Sequence, residues 1–207
     1  MRNKAFTLIE LLVVILIIGI LLALVIPNFV LFQERARRAS VKNNMHIVQT
    51  VLEAYATDHY GSYPSDEYAG DWDPEDEDPA NPATYFPGGD PFDPEDPTVG
   101  KPGQFPVNPY DGKTYNSDDA EDVGLIYADE VVDLGVCAQA NSEDDDCPYL
   151  DLAGTIPGSI QIVVGEHPET GTYVEYGICG YGKSIEQPMF EVDPMDPDIF
   201  IFFVLHN

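Results

Sequence analysis

The stretch FTLIELLVVILIIGILLALVIPNF, Phe6 to Phe29, constrains this chain more than any other. From Phe6 to Ile26 it is apolar apart from Thr7, Glu10 and Gly19, and as a helix it rises roughly 31 Å, enough to cross a hydrocarbon layer of ~30 Å. Arg2 and Lys4 precede it, so the positive-inside rule places the N-terminus on the cytoplasmic side and the remainder outside. The run is too long for a secretory signal, and ALVIPNFV offers no small-residue cleavage site after it. Glu10 does not suit a plain anchor, because an ionisable group within a membrane helix is costly and marks a functional position.

Charge divides the chain the same way. Residues 1–59 hold six Lys/Arg and four Asp/Glu, whereas residues 60–207 carry −30 of the net −28 and only Lys101, Lys113 and Lys183 as cations. Such a head repels nucleic acid, whose affinity for proteins comes from clustered Lys/Arg displacing counterions. It suits a solvated exterior surface or divalent cations.

Between Asn28 and Tyr60 there is no Pro or Gly, and Gly61 and Pro64 supply a stop, so the spacing predicts a helix from Thr7 to His59, about 80 Å long. Val41, Met45, Val48, Leu52 and Tyr55 recur at three- and four-residue intervals, one apolar stripe for packing on a sheet. Arg35, Arg37, Arg38 and Lys42 follow the apolar run. They are suited to lipid headgroups, to acidic neighbours, or simply to a solvated helix face.

Residues 65–103 change character. Asp-Pro pairs recur in DPEDEDP and DPEDP, and proline stiffness with acidic repulsion predicts a long loop rather than helix or sheet. Beyond it, SIQIVV and TYVEYGICGYG read as strands flanking the turn GEHPETG, and IFIFFVL reads as a third strand. A small antiparallel sheet of three or four strands over the helix is the simplest architecture. The fold class is α+β.

Cys137 and Cys147 bracket a short acidic loop and are candidates for a disulfide outside the cytoplasm. Cys179 reads as a buried apolar residue, with its pairing to Cys137 or Cys147 as the alternative. Asp71, Asp73 and Glu75 alternate as the first ligands of a calcium loop do, without the glycine and distal Glu of an EF-hand; a solvated acidic cluster is the other reading. No cofactor other than this candidate calcium is expected. The four histidines are scattered and no nucleophile–base motif accompanies them, so the chain is not expected to be an enzyme.

The stretch AFTLIELLVVILIIGILLALVIPNF resembles the class III signal of type IV prepilins and of the pseudopilins of type II secretion systems. The shared features are a short basic leader, a small residue before Phe-Thr-Leu-Ile-Glu, an unbroken apolar run, and Gly19 and Pro27 at the family's places. GSYP, YFPGGDPF and FPVNPYDGKTY look like weaker landmarks of the family's heads. The resemblance implies a type IV pilin-like fold, a long N-terminal helix with its C-terminal half packed on the sheet. Its divisions are a leader at 1–5, a transmembrane and filament-core helix at 6–27, an amphipathic helix at 28–60, and an acidic head at 61–207. It also implies cleavage between Ala5 and Phe6 by a prepilin peptidase, methylation of Phe6, and polymerisation by an inner-membrane assembly platform and its ATPase. Ala5 departs from the family's usual glycine. Glu10 would pair with the N-terminus of a neighbouring copy, and the span from Gly19 to Pro27 would loosen in the filament. The implied product is a homo-oligomeric helical filament, periplasmic or extracellular. The reading from another class is a single-pass anchor displaying a binding module.

Overall fold

In a computed structural model, the residues described are 6–64, 81–92, 99–115, 125–127, 156–166, 170–185, 189–192, 200–202 and 204–206. The chain divides into two compact units, Met1–Ala36 and Arg37–Asn207. One helix, α1 (Leu8–Asp58), contributes to both. Six strands follow in the second unit: β1 (Leu125–Tyr127), β2 (Ile160–Glu166), β3 (Tyr173–Gly180), β4 (Phe190–Val192), β5 (Phe200–Phe202) and β6 (Val204–His206).

The predicted stripe is the core of the second unit. Val41, Met45, Val48 and Leu52 are fully buried, and Tyr55 nearly so. Val41, Met45, Val48 and Leu52 pack with Ile160, Ile162 and Val164 of β2 and Tyr176 and Ile178 of β3, the same-face positions that a period of two requires. Each such aliphatic side chain contributes about 1.5–3 kcal/mol when fully buried. Close approach depends on Gly180. A Cβ there would press on the Met45 sulfur and on Val41, so glycine lets the helix settle against the end of β3.

The sheet order is β1-β2-β3-β6. β2–β3 and β3–β6 are antiparallel, as expected, with Ile162 opposite Ile178 and Cys179 opposite Val204. β1 joins the edge in parallel, Leu125 opposite Ile160, which no local pattern announces. The C-terminal segment read as one strand forms two: Phe200–Phe202 pairs with β4 in a separate two-stranded sheet, and Val204–His206 pairs with β3. A continuous apolar run carries no period from which such a change of partner can be read.

α1 ends by a route other than its glycine alone. Tyr60 takes the left-handed conformation (φ 60°), Gly61 follows at φ 87°, and the Gly61 N–H donates to the Ala56 carbonyl at 2.7 Å. This is the long bond of a Schellman motif, here with a fully exposed tyrosine at the left-handed position instead of the preferred glycine. Just before it, His59 stacks on Tyr55 (3.9 Å between centroids, 11° between planes), and Tyr85 meets both rings edge-on.

The Asp/Pro-rich stretch contains more structure than a loop. A 3₁₀ turn, Pro82–Tyr85, starts where Asn81 accepts the Ala83 N–H at 2.8 Å and Pro82 presets the first helical φ. Pro82, Ala83 and Thr84 are buried, and Phe86 lies against Phe105 at 4.2 Å. Gly103 donates to the Ala83 carbonyl, and Asp90 and Lys101 exchange backbone hydrogen bonds of 2.8 and 2.7 Å. The backbones here run too close for side chains. A Cβ on Gly89 would overlap the Thr84 carbonyl oxygen, and one on Gly103 that of Phe86.

Two buried asparagines join the remaining segments. Asn44 of α1 donates to the Val107 carbonyl (2.9 Å) and the Tyr115 hydroxyl (3.3 Å), and Tyr115 in turn donates to the Gly158 carbonyl at 2.9 Å. Asn108 donates to the Pro157 carbonyl at 2.9 Å and accepts the Tyr110 N–H. At the other end of the unit, Tyr176 donates to Glu53 at 2.7 Å and accepts from Gln49, while the Tyr63 N–H donates to the Tyr173 carbonyl. Cys179 is fully buried on β3 and unbonded to another cysteine, and burial pushes its thiol up to about 12.

The stacked His59 makes stability depend on pH. Burial disfavours the imidazolium and lowers its pKa below the ordinary 6.5, with Asp58 acting in the opposite direction. The unfolded chain therefore takes up this proton first. The contribution of His59 is fully present above about pH 6.5 and is lost as pH falls from there towards the lowered value. In urea titrations of the full chain in detergent, wild type minus His59→Gln should show a stability difference that shrinks between pH 7 and pH 5.5. A pH-independent difference contradicts this.

Candidate functional site

An 18-residue stretch of α1 is long and apolar enough to cross a membrane, and none of it is buried within the chain. Leu8, Leu24 and Phe32 are exposed to about the same extent as Phe6 and Ile9, so the apolar surface surrounds the helix rather than forming one stripe. A helix apolar on all sides needs lipid or other helices around it.

The helix begins with a reciprocal cap. The Thr7 N–H donates to Glu10 Oε2 at 2.9 Å, the Thr7 hydroxyl donates to the same oxygen at 2.7 Å, and the Glu10 N–H donates back to Thr7 Oγ1 at 3.4 Å. This is a capping box: Thr7 at the N-cap and Glu10 three residues later satisfy donors that the first turn leaves unpaired. The carboxylate is thereby fixed at the helix start through Oε2. Oε1 has no partner among the described residues. Phe6, Ile9, Val13 and Val14 line a shallow apolar recess beside it.

Of the residues singled out from sequence, Phe6 and Glu10 come together at this terminus, joined by Thr7, which had not been singled out. The local signal for this cap is the Thr-x-x-Glu spacing, which the sequence reading passed over. Gly19 lies in the middle of the apolar surface, and a Cβ added there would meet nothing within 4 Å. Its own chain gives no steric reason for a glycine, which costs about 1 kcal/mol relative to alanine inside a helix. In the isolated chain the helix runs unbroken through Gly19 and Pro27; the loosening expected there belongs to the filament. Pro27 still has no N–H to offer the Ala23 carbonyl, so one rung of the ladder is absent.

Ala5, the cysteine pair Cys137 and Cys147, and the acids Asp71, Asp73 and Glu75 lie outside the described residues. Among the described residues, no three His, Cys, Asp or Glu side chains are grouped to hold a metal ion.

Comparison with known proteins bears on this terminus. Residues 1–26 match the family model described as the prokaryotic N-terminal methylation motif. The chain is 42% identical over 64 residues to the type IV major pilin protein PilA of Myxococcus xanthus, covering 30% of this chain and 29% of that one. It is 40% identical over 65 residues to the ComG operon protein 3 homolog of Bacillus licheniformis, covering 31% and 67%. With the type II secretion system core protein G of Klebsiella pneumoniae it shares 38% over 66 residues, covering 32% and 46%. The chain thus spans less than half the length of two of these three relatives. No solved structure matches it. With the capped apolar helix, the methylation motif and these relatives together, the chain belongs to the type IV pilin and pseudopilin family.

Proposed function

We propose that this protein is a structural subunit of a type IV pilus-like or pseudopilus filament. The observation that carries the reading is a helix start that combines the methylation motif with an apolar surface left uncovered by its own chain. In this reading the precursor first sits in the cytoplasmic membrane with its second unit outside. A prepilin peptidase cuts after Ala5 and methylates the Phe6 amine. An assembly platform and ATPase then move the helix from lipid into a bundle of copies. Exchanging lipid for other helices leaves the apolar side chains in an apolar setting and gives Glu10 a partner. An unpaired carboxylate in such a bundle is unfavourable, and the ammonium of a neighbouring Phe6 offsets that penalty. No catalytic role is assigned.

The direct test is the mass of the N-terminal peptide in sheared surface filaments. It should begin at Phe6 and carry one methyl group; filaments lacking the protein, or containing a chain that begins at Met1, overturn the reading.

Glu10 can be tested for charge separately from capping. Glu10→Gln keeps an oxygen for Thr7 but no charge, and Glu10→Ala keeps neither. Both are expected to insert normally and to reduce filaments by about tenfold or more, a loss on the order of 1.4 kcal/mol of assembly free energy or greater. If Glu10→Gln assembles like wild type, the role of Glu10 is the cap alone. If both do, neither the charge nor the cap of Glu10 is needed for assembly, and the role given to it here is overturned.

We further assign Cys137 and Cys147 to one disulfide, supported by the burial of an unpaired Cys179. Thiol titration of the exported protein without reductant should find no reactive thiol in the native state and one after denaturation. A reactive thiol in the native state, or none after denaturation, contradicts the pairing.

A further inference from the structure

Every large apolar side chain from Phe6 to Phe32 is exposed, and Phe29, Val30, Leu31 and Phe32 are as open as those nearer the start. As a helix this stretch rises roughly 40 Å, about 10 Å more than the hydrocarbon core of a bilayer. Either one end stays outside the hydrocarbon or the helix tilts to bury both.

Two upright placements are possible. With Phe6 at one boundary, the core holds Phe6 to Ile26. Glu10 then lies about 6 Å inside the hydrocarbon, and Arg35 stands about 13 Å beyond the far boundary, past a headgroup layer of about 5–7 Å. With Phe32 at the far boundary, the core holds Leu12 to Phe32. Glu10 then lies about 3 Å outside it, and its carboxylate is turned further out, because the cap holds Oε2 against the N–H and hydroxyl of Thr7. Arg35, which is exposed, comes within about 5 Å of the far boundary, at the depth of lipid phosphate, with the exposed Arg37 and Arg38 next in the sequence. Glu34 beside it is engaged within the chain.

Hydrophobic area does not choose between the two. Phe6, Leu8, Ile9 and Leu11 leave the core as Phe29, Val30, Leu31 and Phe32 enter it. Polar groups do choose. The first placement puts a carboxylate in hydrocarbon, whereas the second brings in the neutral amide of Asn28, and an ionised group is far costlier to bury than an amide.

We propose that in the membrane the helix spans with Leu12 to Phe32, holding Glu10 among the headgroups on the N-terminal side and Arg35 on the phosphates of anionic phospholipid on the far side. The inference rests on the membrane stage of the filament reading. It removes the penalty on Glu10 before assembly, so the carboxylate leaves water only when copies come together. It also carries Phe6 about 9 Å clear of the hydrocarbon, where water can reach the bond that the proposed cut requires.

The test places single tryptophans in the full-length chain in vesicles of phosphatidylcholine and phosphatidylglycerol. Trp72→Phe removes the one native tryptophan, and Leu8→Trp or Leu31→Trp then reports depth through quenching by lipids brominated at different positions. The expected distances from the bilayer centre are about 21 Å for position 8 and about 13 Å for position 31. Adding Glu10→Leu should draw position 8 inward by about 8 Å, since nothing then keeps that end out.

Distances of about 12 and 22 Å, the reverse order, overturn the proposal, and so do two distances of about 13 Å, which a tilted helix would give. A position 8 that ignores Glu10→Leu overturns the part given to the carboxylate. All three leave the filament reading intact. Tryptophans that no brominated lipid quenches overturn its membrane stage.

Discussion

The second unit depends on one close approach, that of α1 to the end of β3 at Gly180. Because no Cβ stands there, Val41 and Met45 reach the sheet, and the stripe from Val41 to Leu52 can cover the inward positions of β2 and β3 in register. A Cβ at 180 would press on the Met45 sulfur and on Val41, so those side chains would have to shift to make room. The buried asparagines then secure what the helix has positioned. Asn44 reaches from α1 to the segment around Val107 and Tyr115, and Asn108 ties that segment to the turn before β2.

The parts of this architecture set by local rules were readable in the sequence. The helix and its stripe follow from spacing, its end from Gly61 and Pro64, and strands β2 and β3 from β-branched runs bounded by turn residues. The parts set by pairing were not. Nothing in Leu125–Tyr127 says that it lies parallel to β2, and nothing in the apolar C-terminus marks where β5 leaves one sheet and β6 joins another. The buried polar residues were equally hidden. An asparagine is ordinarily a surface or turn residue, and only the carbonyls of Val107 and Pro157 explain why Asn44 and Asn108 are inside. At the N-terminus the motif itself was fully legible, while the share of Glu10 in its own helix cap emerged from the geometry.

On the proposed assembly, Glu10 would serve two settings. In an isolated chain, Glu10 uses Oε2 to finish its own helix and leaves Oε1 without a partner among the described residues. A carboxylate can accept several donors, so an incoming ammonium need not displace Thr7. The same cap that starts the helix fixes the direction in which the charge is presented, and less freedom remains to be lost when copies meet.

The backbone exchange between Asp90 and Lys101, with Gly89 and Gly103 just outside it, works as a clasp. The ends of the chain that joins its two halves are thereby held side by side. Lengthening such a segment costs only about 0.6 kcal/mol per doubling, because closure entropy grows with the logarithm of length. The consequence lies at its ends: Asp90 and Lys101 stay side by side however long the chain that joins them becomes.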